Sequence, residues 1–245
     1  VEVLAKYYVG KDQNLKNQII LAIGKIGNKK AAKFLKNVMR KTQVARHLNN
    51  AAIALAEIGE RKEAIKILLE LLQDRKAYMR INASFALGEI KAVEDAAVDG
   101  LITAVTDRND YVRSEAAVAL GRVKAERATV ALEKLANGDN PFAALDAVIA
   151  LNRIDYKKYR KLIFEKLLVH KKKKYRRIVE RGILFLAEQQ DPEALPYLLR
   201  DLRSSNSNVY ARTLQLLREY KADQVGDFTP SLRYLAGTCS YDCFS

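Results

Sequence analysis

Tryptophan is absent from the 245 residues, and cysteine, histidine and methionine occur only twice each. Both cysteines, Cys239 and Cys243, lie in the last seven residues, too few and too local for a disulfide framework. With four prolines and eleven glycines against 49% apolar residues, the composition argues against disorder and suits a helical globular chain. No apolar run approaches ~20 residues, so no membrane span is expected. No signal-peptide pattern opens the chain. Strand-like alternation is missing, so helices should fill most of the length. The first residue is Val1 rather than Met, which points to a processed form or an excised fragment, and a cytoplasmic location is the expectation.

What is present is a repeat. Taking the small residue after Ala-Leu as an anchor gives Gly24 (AIGKI), Ala56 (ALAEI), Gly88 (ALGEI) and Gly121 (ALGRV). The series continues through Asn152 (ALNRI), Ala187 (FLAEQ) and Arg218 (LLREY), at spacings of 32, 32, 33, 31, 35 and 31. So steady a period is the signature of a repeat architecture. Before Gly121, apolar residues fall at helical spacing: Val112, Ala116, Ala119 and Leu120, with Val123 beyond. Met79, Ala83, Ala86, Leu87 and Ile90 fill the same slots one repeat earlier. A second helix follows in each unit, as in AIKILLELL, AAVDGLITAV and TVALEKLA. A small anchor lets two helix backbones approach closely. Asn140-Pro141 and Asp191-Pro192 place a capping side chain before a proline at a first helical position. Val3 to Gly10 resembles the end of a second helix, so the chain begins inside a repeat. The solenoid is expected over 1–236 and an irregular tail over 237–245.

The unit Asp107, Val112-Arg113, Ala116-Ala117, Ala119-Leu120-Gly121, Val123 resembles HEAT-repeat proteins, specifically the short subclass named after phycobilisome lyases. Asp74, Met79-Arg80, Ala83, Ala86-Leu87-Gly88 and Ile90 match nearly as well. The resemblance implies a right-handed α-solenoid of about seven two-helix units. It also implies that Asp74, Arg80, Asp107 and Arg113 tie neighbouring repeats together. Leu48, Ala144 and Tyr210 replace the motif Arg, and Asn152 and Arg218 replace the small anchor, so later repeats should stack at different angles.

No catalytic set is visible. His47 falls in an inward slot, and His170 ends a second helix where the dipole favours a cation. Neither stands beside a nucleophile and an orienting acid. Cys239 and Cys243 supply two thiols where zinc wants four ligands, so free thiols are expected and no metal or other cofactor. Gly24-Lys25-Ile26-Gly27 lacks the spacing of a phosphate loop.

Charge carries the functional reading. The net charge of +14 is uneven: residues 1–48 hold eleven Lys/Arg against two acids, and residues 153–186 thirteen against three. The middle is neutral to acidic. In a solenoid the exposed faces of second helices line the concave surface, which here runs from Lys33, Lys36 and Arg40, through Lys66, Glu70, Asp99 and Glu133, to Arg160. That mixed lining suits a protein or peptide, and a non-enzymatic protein-binding scaffold is the leading expectation. The alternative is phosphate-backbone binding to nucleic acid through Lys171, Lys172, Lys173, Lys174, Arg176 and Arg177, with Tyr156, Tyr159 and Tyr175 nearby. A DNA glycosylase-like role is weakened by the missing tryptophan, and a chromophore lyase-like role rests on the subclass name alone. Oligomeric state is left open.

Overall fold

The computed structural model describes residues 1–9, 11–168, 176–195, 198 and 215–218, with the backbone alone at 166–168 and 176–179. The loop 171–174, His170, both cysteines and the tail 237–245 lie outside the described residues. The chain divides into two compact units, Val1–Phe164 and Glu165–Ser245.

All regular structure among the described residues is helical. The first helices of the repeats are α2 (Gln13–Ile26), α4 (Ala45–Leu55), α6 (Ala77–Glu89), α8 (Asp110–Arg122), α10 (Pro141–Ile154) and α12 (Arg176–Glu188). The second helices are α1 (Glu2–Lys6), α3 (Ala32–Lys41), α5 (Arg61–Leu72), α7 (Asp95–Ala104), α9 (Thr129–Ala136) and α11 (Tyr156–Leu168). In the first unit α2, α4, α6, α8 and α10 stack in succession, and the second helices form the other layer of an all-α solenoid. The core runs between the layers. The residue before the anchor is fully buried at Ile23, Leu55, Leu87, Leu120 and Leu151, and at Leu186 in the second unit, whereas Leu217, before Arg218, is only half-buried. Burying each such side chain is worth about 1.5–3 kcal/mol. Val123, expected inside with its relatives, is only half-buried, whereas Ile90, which closes α6 from the same slot, is buried.

The anchors bring first helices to backbone contact. A Cβ built on Gly121 would lie 2.7 Å from Ala150 Cα, and one on Gly88 would lie 3.0 Å from Ala119 Cα. Gly24 meets Ala54 Cβ at 2.8 Å. On the second helices, a Cβ on Gly100 of α7 would meet instead the side-chain ends of Leu69 and Leu72 on α5.

Starts and stops follow local chemistry. Asp12, Asn109 and Asn140 accept from the first free backbone N–H groups of α2, α8 and α10, and Pro141 sits where no N–H is needed. The turn to the second helix repeatedly uses a left-handed residue three places after the anchor: Gly27, Gly59, Lys91, Lys124 and, in the second unit, Gln190. At Lys91 the turn closes with Ala92 N–H donating to Leu87 O at 2.9 Å. Lysine is strained at φ 50° where glycine is not. Lys91→Gly and Lys124→Gly are therefore expected to stabilise the fold by about 0.5–1 kcal/mol each. Urea midpoints check this, and a loss in both variants would show that the lysine stems matter more than the strain. The α10 turn departs from the pattern: Asp155 is extended at φ −142° and caps α11 by accepting from Lys158 N–H at 3.1 Å.

Candidate partner-binding face

The expected surface residues fall on the second-helix layer, where grooves open between α1 and α3, between α7 and α9 and between α9 and α11. One lies between α1 and α3, about 720 Å³, lined by Ala5, Lys30, Lys33, Phe34, Lys36 and Arg40 among others. The next, about 540 Å³ and largely apolar, lies between α7 and α9 over Ile102, Val105, Val130, Ala131 and Leu135. Arg113, Arg127 and Lys134 supply its cationic rim. The last, between α9 and α11, includes Thr129, Ile154 and Tyr156–Tyr159. Between these, α3 packs against α5 and α5 against α7, where Gly100 comes close to Leu69 and Leu72.

The charges on this layer are joined from repeat to repeat. Arg40 of α3 reaches Glu63 (3.6 Å) and Glu70 (3.9 Å) of α5. Arg61 of α5 pairs with Glu94 ahead of α7 at 2.7 Å and donates to the carbonyls of Ile90 (2.6 Å) and Lys91 (2.7 Å). Arg127 pairs with Asp99 at 3.1 Å and Asp95 at 3.4 Å. Tyr159 of α11 donates to Glu133 of α9 at 2.6 Å, with Lys158 Nζ 3.8 Å from the same carboxylate. Three acids expected to face a partner, Glu70, Asp99 and Glu133, are thus engaged by the neighbouring repeat. Burial raises the Tyr159 phenol pKa, and the Glu133 carboxylate raises it further. Arg160 stacks over Phe164 at 5.1 Å. Lys33 and Lys66 project outward and Lys36 is half-buried.

The first-helix layer carries the stronger tie. Arg80, 6% exposed, donates from Nε and Nη2 to both oxygens of Asp107 at 2.7 and 2.8 Å. It also donates to the carbonyl of Asp74 at 2.8 Å. Asp74 itself accepts from Lys76 N–H, a turn within its own repeat. Arg113, expected to make the same tie one repeat on, instead donates to the carbonyl of Asp107 and to Asp110. The reason is in the chain: Asp74 and Asp107 stand fourteen residues before their anchors, but the next such position is Gly138. The link to the following repeat passes to Asn140, which donates to Asp110 at 2.7 Å. His47 is buried, with Nε2 2.9 Å from the carbonyl of Gln13. The described residues hold no cluster of three or more His, Cys, Asp or Glu suited to a metal. Of Arg176 and Arg177 only the backbone, at the start of α12, is described.

Burial pushes the Asp107 carboxyl up, but the Arg80 hydrogen bonds, the Asn109 N–H and the Arg80 and Arg108 charges outweigh it, so its pKa lies below the ordinary value. Glu94 is lowered likewise, burial opposing and Arg61 prevailing. A carboxyl depressed on folding stabilises the protein fully above its unfolded pKa, about 4. That contribution disappears as pH falls through the lower folded value. Urea midpoints should therefore decline below pH ~4, less steeply in Asp107→Asn. An unchanged slope in that variant would contradict the assignment.

The sequence reading missed one feature. Tyr78, Tyr111 and Phe142 each stand ten residues before an anchor, in the first turns of α6, α8 and α10, and all are exposed (38%, 75% and 42%). The same ten-residue offset was visible in the sequence.

A model of HEAT repeats matches residues 1–83 and 65–152, well over half the chain. The chain belongs to the HEAT-repeat family. No curated protein sequence matches it. The HEAT solenoid is similar to the complex of CpcE and CpcF of phycocyanin lyase from Nostoc sp. PCC7120, at 20% identity and TM-score 0.54, covering 90% of this chain and 94% of that one. It is also similar to Kap121p bound to Nup53p, at 14% identity and TM-score 0.54, over 93% of this chain and 27% of that one. A full-length AP-3 complex model aligns at 14% identity and TM-score 0.54, over 95% of this chain and 47% of that one. At these identities the likeness is one of fold. The chain spans only part of the length of the latter two.

Proposed function

We propose that this HEAT-repeat chain is a non-enzymatic scaffold that holds a protein partner along its second-helix layer. The observation that carries the reading is the placement of the grooves at α1–α3, α7–α9 and α9–α11, between successive second helices, while first helices meet backbone to backbone at Gly24, Gly88 and Gly121. Extended exposed surfaces of this kind are what solenoids offer partners. Val130, 77% exposed at the α7–α9 groove, is an apolar anchor point of the sort that interfaces bury.

Two structural neighbours support a protein ligand: one is a complex of CpcE with CpcF, and the other is Kap121p bound to Nup53p. Among the described residues no helix is long and apolar enough to cross a membrane. The alternating signs along the second-helix layer favour a protein over a polyphosphate, which would meet Glu63, Glu70, Asp95 and Asp99 in turn.

Affinity capture from nuclease-treated extract tests this. Wild type should retain a discrete protein that Val130→Glu, a surface change with no cost to folding, releases. Retention only of nucleic acid, or capture indifferent to Val130 and to the α3 lysines, would sink the reading.

A further inference from the structure

The groove between α1 and α3 differs from the others in the sign and density of its charge. Lys30, in the 3-10 turn Lys29–Ala31 ahead of α3, and Lys33, Lys36 and Arg40 of α3 all line it, recurring every three or four residues and so facing the same groove. Arg40 is the member held by carboxylates, at 3.6 and 3.9 Å and half-exposed. Among the described residues no hydrogen bond or ion pair engages the ammonium groups of Lys30, Lys33 or Lys36. Glu2 lies on the groove wall without reaching any of them within 4.0 Å. Elsewhere on this layer an arginine or lysine finds an acid of a neighbouring repeat: Arg61 finds Glu94, Arg127 finds Asp95 and Asp99, and Lys158 finds Glu133, while Lys66 and Lys134 stand singly without one among the described residues. What sets the α1–α3 groove apart is that three unmatched lysines crowd one groove. Between the lysines the floor is apolar, formed by Ala5 and by Phe34, which packs edge-on against Tyr8 at 5.2 Å.

Resting on the scaffold reading above, we infer that the α1–α3 groove docks an acidic segment of a protein partner, its carboxylates on Lys30, Lys33 and Lys36 and an apolar side chain against Phe34. The length of the cationic stripe selects the occupant. The ten residues of α3 span ~15 Å, enough for three or four carboxylates spaced along a short peptide. The stripe then stops at Glu63 and Glu70 on α5. A nucleic-acid backbone needs a positive track longer than this, and continuing along the layer it would run over carboxylates. An acidic segment needs only the stripe, and its apolar residue gains the Phe34 floor, which a phosphate backbone cannot use. The outermost cation, Arg40, holds its carboxylates at long range and is free to swing toward an incoming acid at little loss, since exposed pairs are worth ~0.2–1 kcal/mol.

The test is fluorescence anisotropy on the full chain with a labelled glutamate-rich peptide carrying a central leucine, and a DNA duplex of similar charge for comparison. The peptide should bind more tightly than the duplex at ~150 mM salt and weaken as salt rises. Lys33→Glu with Lys36→Glu should reduce its affinity about tenfold or more, a change of ~1.4 kcal/mol. Replacing the central leucine by serine should weaken it further. Lys62→Glu with Lys66→Glu, the same charge change on α5, should leave it unaltered. Unchanged thermal melts show that the variants fold, as surface positions allow. Peptide binding indifferent to Lys33 and Lys36 overturns the inference, and so does a duplex that binds as tightly through the same lysines. If the peptide fails while the Val130-dependent partner is still captured, the α3 assignment falls and the scaffold reading stands.

Discussion

Arg80→Ala lowers the unfolding free energy by about 3 kcal/mol, the size expected when one member of a buried ion pair is removed. The magnitude follows from what is left behind. Arg80 and Asp107 side chains are 8% and 15% exposed, and the fork-to-carboxylate geometry fills both oxygens of Asp107. Truncation leaves Asp107 with the Asn109 N–H at 2.8 Å and strips the carbonyl of Asp74 of its donor. The guanidinium is held further in its charged form by the Asp107 hydrogen bonds. Arg80→Lys keeps the charge but cannot reproduce two parallel hydrogen bonds, so it should recover only part of the loss. The comparison that isolates the effect is Arg127→Ala. That side chain is 43% exposed and its partner Asp99 64%, so its removal should change stability by less than about 1 kcal/mol. A double-mutant cycle of Arg80 with Asp107, read from urea unfolding, measures the coupling. A coupling near zero would remove Arg80 from its role as the joint between the third and fourth repeats.

Gly121→Leu should destabilise by at least as much, for steric reasons. The Cβ of any residue at 121 points at Ala150 Cα, Cβ and O, at 2.7, 2.9 and 3.5 Å. These are atoms of a helix, which cannot swing aside. Even Gly121→Ala faces this contact. Alanine gains about 1 kcal/mol of helix propensity over glycine, but overpacking a close-packed interface loses ~1–3 kcal/mol, so a net loss is expected. Leucine adds a side chain with nowhere to go and should force α8 and α10 apart, losing about 3 kcal/mol or more. Gly100→Ala is the internal control. Its Cβ would meet Leu69 Cδ2 at 2.7 Å and Leu72 Cδ1 at 3.1 Å, the ends of flexible side chains. There the propensity gain should at least balance the contact. If Gly121→Ala proved stabilising, the close approach of first helices at the anchors would be wrong.

Much of this frame was legible before any coordinates, because the repeat imposes one set of packing demands many times. The anchors, the buried residue before six of them, and the succession of paired helices all follow from a period near 32 and helical apolar spacing. The fate of Arg113 was also in the sequence, but only in the next unit, where Gly138 stands in place of an acid. The engagement of Glu70, Asp99 and Glu133 was not legible. Viewed on a single helix each points to solvent. Only the stacking of repeats sets Arg40, Arg127 and Tyr159 against them, from partners some 26 to 30 residues away in the chain. The same stacking sets α3 apart: a lysine-rich amphipathic helix looks like ordinary solvated surface until Lys30, Lys33 and Lys36 are seen to crowd one groove with no acid in reach among the described residues. Where acids are already engaged, the charge left over at the α1–α3 groove is positive, which is the basis for the acidic partner proposed above.

Partner binding at the second-helix layer is the central proposal, and a photocrosslinking map tests it most directly. Photoreactive residues placed at Lys33, Lys66 and Val130 on second helices, and at Tyr78 and Tyr111 on first helices, would be irradiated in nuclease-treated extract. Protein adducts confined to the second-helix positions, strongest at Lys33 and Val130, are the predicted result. Adducts concentrated at Tyr78 and Tyr111 would contradict it, and would assign the interface to the exposed aromatic row on the first helices instead.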